Sequence, residues 1–246
     1  MKNENPRFSI ITVVYNCVAS IEETIRSVID QEFSSFEYII IDGGSTDGTL
    51  DVIRQYQSHL SFWLSERDNG IYHAMNKGLD SAKGEWINFL NSGDKFASAG
   101  ILDQVSSVIN DNNEMDVIYG DISVFKNGVK TERIAGKPGN KHRMYFCHQS
   151  AFVKTNVMRT FRFDESFRLS SDFLFFKQCY YAKNNFLKIE HVLVCFDVNG
   201  LSNTQRIKGL LENIEIVKRM DKFPVKLLFL ARLYFVVFWN LMRHKN

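Results

Sequence analysis

The chain opens its first regular segment with FSIITVVY (8–15), a continuous run of β-branched and aromatic residues. Unbroken hydrophobicity of that length predicts a strand buried on both faces. From Ser20 the period changes. Ile21, Ile25, Val28 and Ile29 recur at helical spacing within IEETIRSVIDQEF. A second buried strand, FEYIIID, ends at Asp42, and a glycine turn leads into a helix over GGSTDGTLDVIRQYQ. The strand LSFWLSE ends at Glu66, the helical GIYHAMNKGLDSAK follows, and EWINFL is strand again. Strand–helix alternation over the first ~95 residues predicts an α/β fold of parallel strands with right-handed crossovers and helices on both faces.

Beyond residue 98 the pattern shifts. The helix ILDQVSSVIND precedes MDVIYGDISVF, a turn at Lys126-Asn127-Gly128, and a returning strand around VKTERI. That hairpin is antiparallel, so the sheet is expected to be mixed. A basic loop (136–147) leads to His148-Gln149-Ser150 and the short strand AFV. SSDFLFFKQCYYAK is a helix with aromatic residues on several faces. FLKIEHVLVCFDV is a strand pair or one bent strand, and GLSNTQRIKGLLENIEIVKRM is a polar-capped helix.

Ligands of such sheets bind outside the carboxyl ends of the strands. Here those ends are Tyr15-Asn16, Asp42-Gly43, Ser65-Glu66 with Asp68, and Asn91-Ser92-Gly93-Asp94. This convergence of polar and acidic groups is the first functional signal. Each motif also has a plainer reading. IIIDGGSTDGT could cradle a phosphate at a helix start or simply turn and cap the helix. It lacks GxGxxG and a P-loop lysine. Glu66, Asp68 and Lys77 could form a surface salt bridge. Asp172 could be a first-turn acid favoured by the helix dipole or a general base, and Asp94 could end a strand or hold a ligand. His148 has no companion at metal-ligand spacing.

Composition narrows the class. With 45% hydrophobic and 24% charged residues across 246, this is one large domain or a domain with an appendage. From Lys218 onward seven Lys/Arg face the single acid Asp221, a local balance of +6, which leaves about −4 of the total +2 on the body. An acidic body argues against nucleic acid as partner. The four cysteines, Cys17, Cys147, Cys179 and Cys195, form no CxxC pair and are expected to be reduced. MKNENPRFSI has no apolar h-region, so a cytoplasmic chain is expected.

The ordered motifs TVVYN, YIIIDGGSTDGT, WLSERDNGIYHAMNKG and GEWINFLNSGD closely resemble the family 2 glycosyltransferases of the GT-A fold. Within them, the likeness is to the bacterial branch that builds exopolysaccharide, capsule, O-antigen or colanic-acid-type glycans. It is dense over 7–94 and sparser through HQS (148–150), SSDF (171–174) and GLS (200–202). The resemblance implies a GT-A domain over 1–217, with a nucleotide-binding half about 1–97 and an acceptor half about 98–217. It implies inverting transfer of a sugar from a nucleotide diphosphate to a glycan or lipid-linked hydroxyl, with Mg²⁺ or Mn²⁺. By motif position Asp94 matches the metal or diphosphate acid, and Asp172 the catalytic base. Tyr15, Asn16, Asp42, Gly43, Asp68, Lys77, Ser92 and Gly93 match the donor site, and Asn91, His148 and Gln149 the cleft.

Four positions depart from the family pattern. Asn91 and Gly93 stand where DxDD members carry acids, Gly43 replaces the second acid of DDGS, and His73 replaces the Asp of GIYDAMNKG. A divalent ion can be held by one carboxylate plus phosphates and water, so a site completed by the donor is expected. Two other functions are open to the sequence. The reduced NSGD motif suggests a catalytically inactive nucleotide- or glycan-binding module. A sugar-nucleotide pyrophosphorylase would carry a glycine-rich N-terminal signature that IITVVYNCVAS lacks.

The tail (218–246) is basic and apolar, with a longest uncharged run of ten residues, Leu233–Met242, against the ~20 of a membrane span. Lys226, Arg232, Asn240 and Arg243 fall within roughly a third of a helical wheel. The expectation is an in-plane amphipathic helix on the inner face of the cell membrane, the alternative a helix packed on protein.

Overall fold

A computed structural model describes residues 5–126, 129–197 and 205–243. The Asn127-Gly128 turn and the GLS segment lie outside the described residues. Strands β1 (Phe8–Val14), β2 (Phe36–Asp42), β3 (Phe62–Ser65) and β4 (Trp86–Phe89) alternate with helices α1 (Ile21–Ile29), α2 (Thr49–Gln55) and α3 (Ile71–Ser81). Then come β5 (Lys95–Phe96), α4 (Ile101–Asp111), β6 (Val117–Lys126), β7 (Val129–Arg133), β8 (Ala151–Lys154) and α5 (Thr155–Phe161). The chain finishes with α6 (Ser171–Tyr181), β9 (Phe186–Phe196), α7 (Arg206–Met220) and α8 (Val225–Arg243).

The sheet runs β3-β2-β1-β4-β8-β6-β9-β5, with β7 also paired to β6. The first four strands are mutually parallel, as expected from the alternation. β8 is antiparallel to β4 and β6, and β7 is antiparallel to β6, so the sheet is mixed. FLKIEHVLVCF is a single strand, parallel to β6, whose register shifts around Asp121. β5 and α5 have no counterpart in the sequence pattern. Two residues are too short for a pattern, and β5 exists only by pairing with β9.

Pleating explains the continuous hydrophobicity of β1. Phe8, Ile10 and Val14 face a core covered by α1, α2 and α4, while Ile11 and Val13 face one covered by α3, α5 and α6. The all-round aromatic character of α6 has the same cause. Phe175 and Phe176 pack toward the sheet while Phe173 and Leu174 meet Ile216 of α7. A helix apolar on every side belongs between layers.

α8 lies on α7 through one stripe, Phe229, Leu233 and Val237, against Ile214 and Val217. Between the two helices, Asp221 is buried in an ion pair with Lys177 of α6 at 2.8 Å. It also accepts hydrogen bonds from Asn140 (2.8 Å) and Tyr181 (2.7 Å). The ends of α7 and α8 are thereby tied to α6. At 100° per residue the packed stripe falls beside Lys226 and Asn240. Leu227, Tyr234, Phe235, Phe238, Trp239 and Met242 occupy the opposite arc and are exposed.

Candidate active site

Four strand ends build one edge of the molecule. At β1, Asn16 takes a left-handed conformation (φ 50°). Its backbone N–H donates to Ser45 Oγ at 2.7 Å, and its Oδ1 accepts from Thr46 N–H at 2.9 Å. The loops after β1 and β2 are thus stitched together. Asp42 is fully buried beneath them and accepts from Gly44 and Ser45 backbone N–H (3.0 Å each), Ser65 Oγ (2.7 Å) and Ser45 Oγ. It holds the GGS turn in place, and the group left facing outward is the Tyr15 ring, 62% exposed.

Gly43 sits under Asp68. A Cβ there would approach Asp68 Oδ2 to 3.0 Å and the Tyr15 side chain to 3.4 Å. The missing second acid of the turn therefore coincides with a carboxylate arriving from the loop after β3. Asp68 is only 10% exposed and its Oδ1 is fixed by Lys77 Nζ at 2.5 Å, which also meets Glu66 at 2.7 Å. Desolvation works against the Lys77 ammonium, but the hydrogen bonds it donates to Asp68 and Glu66 outweigh that and hold its pKa above the usual range. His73 Nδ1 lies 3.3 Å from the same Asp68 oxygen.

At β4, Asn91-Ser92-Gly93-Asp94 closes as a tight turn. Asp94 N–H donates to the Asn91 carbonyl at 3.0 Å, and Gly93 has φ 99°. Positive φ at the third turn position is what glycine supplies at no steric cost. A Cβ on Gly93 would also come within 3.0 Å of Asp197 Oδ2. Asp94 is buried, its Oδ1 accepting the Asp197 backbone N–H at 2.9 Å. Burial pushes its pKa up to about 7, and neighbouring Asp197 adds to the rise, against hydrogen bonds from the Asp197 backbone and Gln149 and the nearby His148. Two further oxygens in the turn, Asn91 Oδ1 and Ser92 Oγ, are buried and meet no hydrogen-bond partner among the described residues.

On the far side of His148 from the NSGD turn, Asp172 sits in the first turn of α6, its side chain 15% exposed. Its Oδ1 accepts from Tyr72 OH at 3.1 Å and its Oδ2 lies 3.2 Å from His148 Nδ1. His148 Nε2 in turn lies 3.2 Å from Asn91 Nδ2. Asn88 of β4 holds the His148–Ser150 turn through bonds to the carbonyls of Gln149 (2.8 Å) and Ala151 (2.9 Å). The segment before α6 is fixed by Glu212 of α7, which accepts from the backbone N–H groups of Arg168, Leu169 and Ser170, each at 2.9 Å.

The structure therefore gathers Asn91, His148 and Asp172 into one network, and Tyr15, Gly43, Asp68 and Lys77 into a second group at the neighbouring strand ends. Ser92, Gly93, Asp94 and Gln149 join the first. Tyr72, Asp197 and Glu212 escaped sequence reasoning. Tyr72 reads as an apolar helix position, and the other two reach the site only through contacts across more than 40 residues.

Among the described residues no group of three or more His, Cys, Asp or Glu could hold a metal by itself. The NSGD turn nonetheless fits a hard divalent cation in part. It offers a buried carboxylate and two buried, unpartnered neutral oxygens, the ligand chemistry that Mg²⁺ and Mn²⁺ take, with phosphates and water filling the remaining positions.

A family profile described as glycosyl transferase family 2 matches residues 9–167. A PGL/p-HBAD biosynthesis glycosyltransferase of Mycobacterium tuberculosis is 30% identical over 225 residues, 87% of this chain and 86% of its own length. The putative teichuronic acid biosynthesis glycosyltransferase TuaG of Bacillus subtilis is 40% identical over 99 residues, 39% of each chain. S. aureus TarS 1–349, solved with UDP-GlcNAc, superposes with a TM-score of 0.71 at 19% identity, covering 93% of this chain and 70% of that one. The mannosyltransferase PcManGT of Pyrobaculum calidifontis, solved with GDP-Man and Mn²⁺, gives 0.69 at 16% identity over 96% and 70%. At such identities these two establish the fold. With the family match and the long relative, they account for the motif order along β1–β4 and leave the pyrophosphorylase reading without support: the chain belongs to glycosyl transferase family 2 and is a glycosyltransferase of the GT-A fold.

Proposed function

We propose that this chain catalyses inverting transfer of a sugar from a nucleoside diphosphate donor to a hydroxyl of a lipid-linked glycan, with Asp172 as base. The observation that carries the reading is the position of Asp172, a carboxylate that accepts from Tyr72 OH and meets His148, the side chain between it and the NSGD turn. As the acceptor oxygen bonds to the anomeric carbon, its proton passes to Asp172. The anomeric bond to the diphosphate breaks, and the diphosphate leaves with the electron pair. Attack from the Asp172 side, opposite the leaving group, inverts the anomeric centre.

The nucleoside fits the group at β1–β3. Tyr15 offers an exposed ring face, Asp68 a fixed carboxylate and Asn16 a pinned backbone. Asp94 would hold a divalent cation, which when bound supplies charge to stabilise the departing diphosphate. Lys77 is already neutralised by two carboxylates, so it orders the Asp68 loop more than it offers charge to phosphate. A positioned base contributes ~10²–10⁴-fold. Asp172→Asn should lose that much turnover while keeping its thermal shift with UDP- or GDP-sugars. Turnover equal to wild type removes Asp172 from the role and favours the inactive-module reading.

The reading places the enzyme at the cytoplasmic face of the membrane, where α8 is the contact. Over Val225–Met242 this helix is long and apolar enough by length and composition to cross a membrane, with mean hydropathy 1.6, and is mostly unburied. Its exposed arc carries Tyr234, Phe235, Phe238 and Trp239. Aromatic residues on one arc, with the exposed Lys222 and Arg232 on the same helix and its approach, suit an anionic interface. Phe235→Ser/Trp239→Ser leaves the stripe on α7 intact and should release the protein from phosphatidylglycerol vesicles. Binding that the double substitution leaves unchanged, or no binding by the wild type, overturns this placement.

A further inference from the structure

The base has an unusual connection to the NSGD turn, and it turns on the residue that replaces a family acid. Asn91, His148, Asp172 and Tyr72 come from four different elements: the end of β4, the turn before β8, the first turn of α6 and the first turn of α3. They form an unbroken chain of contacts of 3.2, 3.2 and 3.1 Å. An amide nitrogen is a donor only. With Asn91 Nδ2 facing His148, the imidazole Nε2 must accept, so in the neutral ring the proton sits on Nδ1 and points at Asp172. Tyr72 is buried, and burial first, then the Asp172 charge, keeps its phenol protonated far above neutrality. It donates as well.

We infer that Asn91 is a tautomer-setting residue: it fixes His148 with its proton on Nδ1, so that His148 and Tyr72 each donate to a different oxygen of Asp172 and hold that carboxylate in one orientation. His148 and Tyr72 are then positioning residues. Each carboxylate oxygen has two lone-pair sites, so one remains on each for the incoming hydroxyl. An aspartate at 91 would accept from Nε2–H instead, and a ring flanked by two carboxylates favours a proton on both nitrogens, so the neutral ring with its single proton on Nδ1 is no longer selected. The asparagine in NSGD thereby links the diphosphate end of the cleft to the base, and the second hydrogen-bonded nitrogen fixes the ring as in other oriented histidines.

The inference rests on the reading of Asp172 as base, and the test separates the two. Full-length protein labelled with ¹⁵N-histidine is observed at pH 8.5, with His148 assigned by its loss in His148→Gln. The wild type should show protonated Nδ1 and bare Nε2, and Asn91→Asp should place a proton on Nε2, alone or with Nδ1 protonated as well. With the UDP- or GDP-sugar that most raises the melting temperature, Tyr72→Phe should lower kcat about 10-fold and leave the donor KM within about 2-fold. A phenol that only packs would leave kcat unchanged. A wild-type proton on Nε2, an unaltered tautomer in Asn91→Asp, or full kcat in Tyr72→Phe overturns the inference. Full turnover in Asp172→Asn would sink the base assignment while the tautomer result stood independently.

Discussion

Replacing Asp94 by asparagine should make the free protein more stable, and the gain should depend on pH. The carboxyl is buried and its pKa rises from 3.8 to about 7. The folded chain therefore holds this proton more tightly than the unfolded chain. Stability from this group is complete below about pH 4, is lost as pH climbs through the folded value near 7, and is level above it. A rise of about three units at ~1.4 kcal/mol each gives up to ~4 kcal/mol lost by pH 8. Asparagine is nearly isosteric, keeps an oxygen for the Asp197 backbone N–H, and carries no charge to desolvate. Asp94→Asn and the wild type should melt together near pH 4. At pH 8 the variant should melt as much as about 8–16 °C higher, at 2–4 °C per kcal/mol for a chain this size. Millimolar Mn²⁺ should raise the wild-type transition at pH 8 and leave the variant unmoved. Thermal denaturation followed by circular dichroism at both pH values reads all of this. A stability difference that is the same at pH 4 and pH 8 would refute the argument that burial dominates at Asp94.

Asp221→Ala leaves the Lys177 ammonium buried without its carboxylate; urea denaturation should show a loss of ~3–5 kcal/mol. Gly93→Ala forces a left-handed alanine whose Cβ meets Asp197 at 3.0 Å. A cost of ~1–3 kcal/mol is expected, with weaker nucleoside diphosphate binding by calorimetry. Glu212→Gln removes the charge that gathers three backbone N–H groups before α6. Turnover should fall several-fold at unchanged donor affinity, measured by steady-state kinetics.

Periodicity alone determined the α/β layering of the first 95 residues and located the four strand ends, because burial on two faces and on one face leave different repeats along the chain. The strand-end residues Tyr15, Asn16, Asp42, Asp68 and Asp94 were legible for the same reason. What each side chain does there was not legible. Asp42 and Asp94 look alike in sequence, both acids closing a hydrophobic strand. In the fold Asp42 is saturated by four hydrogen bonds under a turn, while Asp94 sits desolvated beside a second carboxylate. The tail shows the same division. Its composition disclosed a helix with a polar third, but only packing on α7 revealed that the half-buried Lys226 and Asn240 flank the packed stripe while Arg232 and the apolar arc face out. Local pattern reports whether a residue is buried. Its partners are chosen by pairings such as Asp94 with Asp197 and Tyr72 with Asp172, about 100 residues apart, and no local period encodes these.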